Sequence, residues 1–130
     1  MIANKLKYGD EIRVIAPSSS LSKVRTDVYD KALAYLEAQG FKITFSKNSR
    51  EMNEFKSSEI KSRVVDIHDA FRDKNVKMII TCIGGFNVNQ ILPYLDYELI
   101  KRAVRPHGPP SAGRENHQCQ STKVIPQICQ

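Results

Sequence analysis

Apolar and polar positions alternate between two periods along the first hundred residues. Glu11-Ile12-Arg13-Val14-Ile15-Ala16 is a short β-rich run closed by Pro17 and three serines, which predicts a strand and a loop. From Leu21 the apolar positions are Leu21, Val24, Val28, Ala32, Tyr35 and Leu36, one face of a helix, with Gly40 as its stop. Phe41 to Phe45 alternates again and predicts a second strand. Residues 46–56 are polar and aperiodic, a surface loop, and Ser57 and Ser58 offer an N-cap. Ile60, Val64, Ile67 and Phe71 then form the stripe of a second helix. Asp73-Lys74-Asn75 is a turn, and Val76 to Ile83 is a strand apolar enough to be covered on both faces. Gly84-Gly85 turns into a helix from Phe86 to Leu92, ended or kinked by Pro93, and Asp96 caps a last short helix through Ile100.

The order β-α-β-α-β-α predicts an α/β fold, a parallel sheet with flanking helices. After Lys101 no template survives. Val124, Ile125 and Ile128 are too few for a core, so residues 102–130 are expected to be a divergent basic tail, disordered or loosely attached. The expected division is an α/β domain over 1–101 followed by that tail.

Composition changes the picture in one respect. The chain is 41% hydrophobic and 26% charged, ordinary for one globular domain, and no apolar run is long enough to span a bilayer. The first ten residues lack the apolar stretch of a secretory signal. The net charge of +6 is uneven: residues 1–100 hold 15 basic and 13 acidic side chains, residues 101–130 hold 5 and 1. That tail has neither the interleaved aromatics of a nucleic-acid binder nor an amphipathic period, so neither nucleic acid nor membrane is expected as a partner. Three cysteines without a CxxC pair suggest reduced thiols and a cytoplasmic setting, with Cys82 in the core.

The strand–Gly84–Gly85–helix junction carries the most chemistry. Backbone N–H groups at Gly84, Gly85 and Phe86 could hold a phosphate, a carboxylate or a reaction oxyanion. A bare tight turn is the competing explanation, and the spacing matches neither dinucleotide nor P-loop patterns. Ser18 and Ser19 follow the first strand at the same carboxyl edge and are candidate rim residues, although one serine could simply cap the helix. Asp66, His68, Asp69 and Asp73 do not share one helix face, so no metal site is expected.

Three ordered stretches resemble the LD-carboxypeptidase family, serine peptidases of the S66 type that include the microcin C7 self-immunity proteins. They are Lys7 to Ser19, Arg63 to Asp73, and Val76 through Gly84-Gly85 to Asp96, together covering about residues 5–101. The resemblance implies a three-layer, Rossmann- or flavodoxin-like domain, incomplete relative to the family. It implies no cofactor and a small substrate, either the L,D amide of a cytoplasmic murein peptide or an aminoacyl-nucleotide. Whole family members are expected to be homodimers. It further implies a serine nucleophile in a Gly-aromatic-Ser-Asp turn, a glutamate and histidine from a second domain, and an oxyanion hole that would include Gly85.

The chain departs from that pattern after Lys101. Ser111 lies about 26 residues past Gly85, where the nucleophile belongs, but Pro109 and Pro110 precede it and Ala112 follows. Neither family glutamate nor family histidine is matched. The expectation is a truncated chain without peptidase activity of its own. Two alternatives are a non-enzymatic anion-binding module that uses Gly84-Gly85 and a basic-tailed interaction protein.

Overall fold

The computed structural model describes residues 5–104. Three strands, β1 (Glu11–Ile15), β2 (Lys42–Phe45) and β3 (Val76–Thr81), form one sheet in the order β2-β1-β3. Both pairings are parallel. Three helices, α1 (Thr26–Ala38), α2 (Ile60–Arg72) and α3 (Tyr97–Val104), flank it, with 3-10 segments at Leu21–Lys23 and Asn87–Tyr94. The expected α/β order is therefore the observed one.

Central β1 sets the layers, because alternate side chains leave opposite faces. Register places Thr44 and Ile79 beside Arg13, and Phe45 and Ile80 beside Val14. Ile15 and Ile79 face α2 and join Ile67, Ala70, Phe71, Val76, Ile91 and Leu95 in the main core. On the opposite face the Phe45 ring meets Tyr29 of α1, with centroids 5.5 Å apart. At the amino edge, Arg13 bridges Glu11 and Asp73, both at 3.0 Å. Burial alone would raise the Glu11 carboxyl, but the Thr44 hydroxyl and the Arg13 guanidinium outweigh it and hold it below the usual carboxylate value.

Four local expectations change. The stretch from Leu21 to Gly40 is two elements: a 3-10 turn capped by Ser20, whose Oγ accepts from Ser22 N at 3.2 Å, and then α1. Val24 and Arg25 are extended between them and reset the helical phase. A period counted through that break lands on the wrong face, so Val28 and Tyr35 are 52% and 67% exposed while Tyr29, Leu33 and Leu36 are half-buried. Gly40 does follow the helix, at φ +88°, and the Tyr8 ring fills the space a side chain there would need.

Second, the loop after β2 is not merely a surface loop. Ser46, Ser49, Ser57 and Ser58 are all buried. Ser57 and Ser58 do not cap α2, whose N-cap is Glu59. Ser58 Oγ instead donates to the Asn48 carbonyl at 3.1 Å. Third, the segment after Gly85 is a 3-10 helix with Pro93 inside it, since proline supplies no N–H for an α-helical ladder. Fourth, α3 reaches Val104, four residues beyond the expected end at Ile100. Its Asp96 cap is as expected: Asp96 Oδ1 accepts from Leu99 N at 3.0 Å.

Candidate functional site at the carboxyl edge of the sheet

The last ladder bond between β1 and β3 runs from Cys82 N to the Ile15 carbonyl at 2.9 Å. Beyond it the two chains leave the sheet as the Pro17–Ser20 loop and the Ile83–Phe86 turn. They stay in contact. Ser18 Oγ accepts from Asn87 N at 3.3 Å. A Cβ built on Gly85, at φ +156°, would overlap the Ser18 hydroxyl and sit 3.1 Å from that of Ser19. Gly84 has open space around the same position. The second glycine is thus required by sterics, while the first is not.

Gly84, Gly85 and Phe86 are all exposed, and the Phe86 ring is 88% accessible. Among the described residues, no acceptor takes the N–H of Gly84, Gly85 or Phe86. Three consecutive free amide donors therefore stand at the rim, those of Gly85 and Phe86 on the side of the sterically required glycine. Such a pair attracts a carboxylate, a phosphate or a developing oxyanion. Ser18 is buried beneath this turn and Ser19 is half-buried, so Ser18 supports the rim from below and does not project from it. Ser111 and the tail from 105 onward, with His107, His117, Cys119 and Cys129, lie outside the described residues.

Polar residues with no apparent role in the sequence build the floor. Asn87 is buried and donates from Nδ2 to Ser57 Oγ at 2.8 Å. Arg63, on α2, is 3% exposed and bonded to both rim loops. It lies four residues before Ile67 on the buried face of α2, and a charge on an apolar stripe was the available signal. Asp66 accepts from Asn48 N at 3.2 Å and Nδ2 at 2.9 Å, fixing the loop after β2. Burial pushes its carboxyl up against those donors. His68 Nε2 accepts from Asp96 N at 2.9 Å. The described residues gather no group of three potential metal ligands.

Cys82 is a free thiol, its Sγ 3.8 Å from the Ser19 carbonyl, and burial pushes it up to about 11 from 9.0. Two units mean about one hundredfold less thiolate at neutral pH. Iodoacetamide at pH 7.5 should therefore alkylate Cys82 about one hundredfold more slowly than a small-molecule thiol of ordinary pKa, with the rate still climbing at pH 10. Peptide-resolved mass spectrometry measures this site apart from Cys119 and Cys129, and a rate equal to the free thiol's would show that the thiol is not shielded.

The model of the LD-carboxypeptidase N-terminal domain, from the S66 peptidases, matches residues 12–107. The chain belongs to this LD-carboxypeptidase family. The YocD protein of Bacillus subtilis is 51% identical to this chain over 102 residues, 78% of the chain and 31% of YocD. The crystal structure of an MccF-like protein from Bacillus anthracis superposes with a TM-score of 0.77 at 53% identity, covering 79% of the chain and 31% of that protein. More distant matches are the murein tetrapeptide carboxypeptidase of Pseudomonas aeruginosa, 26% identical over 71% of the chain and 29% of its own length, and the microcin C7 self-immunity protein MccF with aspartyl sulfamoyl adenosine. The MccF structure is 26% identical with a TM-score of 0.72, covering 79% of the chain and 31% of MccF. The chain thus spans about a third of the length of these relatives.

Proposed function

We propose that this chain supplies the anion-holding part of a serine carboxypeptidase site acting on a small cytoplasmic amide substrate. The carrying observation is the pair of unengaged N–H groups at Gly85 and Phe86, exposed at the sheet's carboxyl edge. When a serine hydroxyl adds to an amide carbonyl, the carbonyl oxygen gains a full negative charge, and two fixed N–H donors stabilise it without reorganisation. Ser111 is the positional candidate for the attacking hydroxyl; Ser19 stands at the rim and Ser18 supports it from below. The glutamate and histidine implied by the family have no counterpart in these 130 residues, so a base to take the hydroxyl proton is wanting.

Relatives support two substrate kinds, a murein tetrapeptide and an aspartyl adenylate mimic. Both are small and carry an amide or acyl linkage beside a charged end. The murein L,D amide is the first choice, in a homodimeric whole protein. The test is release of D-alanine from murein tetrapeptide, with the 130-residue chain compared to one extended through the family's remaining domain. Release is expected from the extended chain alone. Release by the short chain would overturn its inactivity, and no release by either would overturn the peptidase reading.

A further inference from the structure

We propose that Arg63 is a positioning residue that sets the aperture of the Gly85–Phe86 amide cradle by tying the loop after β1 to the turn after β3. The proposal rests on the cradle described above but concerns a residue outside it.

Past Cys82 no backbone ladder joins the two loops among the described residues. Their separation must be fixed by side chains. The guanidinium of Arg63 does this with one nitrogen: Nη1 donates to the Pro17 carbonyl at 3.1 Å and to the Asn87 carbonyl at 3.0 Å. Pro17 immediately precedes Ser18, and Asn87 immediately follows Phe86. The other two nitrogens anchor the clamp, Nε to the Ser58 carbonyl at 3.0 Å and Nη2 to Gln90 Oε1 at 2.8 Å. A planar fork with fixed donor directions holds four acceptors at once, which a lysine ammonium on a flexible stem cannot.

The placement is expensive for stability alone. Arg63 is buried, and among the described residues no carboxylate lies within ion-pair distance of it. Its acceptors are neutral oxygens. It also sits in the first turns of α2, where the helix dipole disfavours a cation. An apolar residue there would avoid the desolvation of a buried charge. What the arginine supplies, alongside the Asn87 N–Ser18 Oγ bond, is a fixed spacing of the two rim loops.

The test uses the 130-residue chain labelled with ¹⁵N, as wild type, Arg63→Lys and Gln90→Leu. With no ligand, Arg63→Lys should shift and broaden amides of residues 18–20 and 84–90 while those of Val14 and Ile80 in the ladder stay in place. Gln90→Leu frees one arm of the fork and should move the same set by less, which keeps the proposal testable if the lysine variant does not fold. Amide changes spread evenly through the sheet, or no change at the rim in either variant, would overturn the positioning role. Titration with inorganic phosphate separates this from the cradle reading. Wild-type Gly85 and Phe86 amides should respond, and Arg63→Lys should weaken that response by about tenfold to a hundredfold. A wild-type chain whose cradle amides ignore phosphate would overturn the anion reading, with the ligand-free spectra still deciding Arg63.

Discussion

Gly85→Ala should lose about 1–3 kcal/mol of stability, whereas Gly84→Ala should change it by less than about 0.5 kcal/mol. Sequence alone treats the two glycines as a pair, and the structure separates them. Gly85 has φ +156°, a value rarely open to an L side chain, and its Cβ would overlap Ser18 Oγ. Ser18 cannot yield freely, because it is buried and accepts from Asn87 N at 3.3 Å. Relief would push the turn outward and move the Gly85 and Phe86 N–H groups from their present positions. In a chain extended to a complete site, kcat should therefore fall by about 10²–10³-fold, the usual effect of losing one oxyanion donor. Chemical denaturation of the two alanine variants and their D-alanine release rates provide the check. Equal behaviour of the two would remove the steric basis for singling out the second glycine.

The parts of this fold that were legible in the sequence share a feature: each buries a regular period against one neighbour. β1 and β3 read as strands because Ile12, Val14, Ile79 and Ile80 are β-branched and close-spaced. α2 read as a helix because Ile67 and Phe71 recur at its period, and both are buried. The Gly84-Gly85 turn was visible because adjacent glycines punctuate a chain. What stayed hidden was polar and aperiodic. Ser57, Asn87 and Arg63 each bond to loops from other parts of the chain, so no local spacing announces them. Ser57 and Ser58 have an N-cap's composition, yet tertiary partners claim their hydroxyls. The misread face of α1 has a different origin. Two extended residues, Val24 and Arg25, break the phase, and nothing in their identity requires it.

Phe71→Ala should cost about 3–5 kcal/mol, enough to unfold a domain of this size, while Val28→Ser should change stability by less than about 0.5 kcal/mol. Both positions lie on apolar stripes of similar appearance in the sequence. Phe71 closes α2 and is 3% exposed among Ile15, Ala70, Val76, Ile79 and the residues of the 3-10 segment. Removing its ring leaves a cavity that the strands cannot fill, because β1 and β3 are held in register by their ladder. The domain has little reserve. Its sheet has three strands, and α1 contributes no fully buried residue, so most of the burial lies on the α2 face. Val28 is 52% exposed on the outer side of α1 and has little packing to lose. Thermal melts followed by circular dichroism distinguish the two substitutions. The same experiment locates the core: a large loss at Val28 would mean that α1 turns its other side to the sheet, and would displace the Tyr29–Phe45 contact on which its orientation rests.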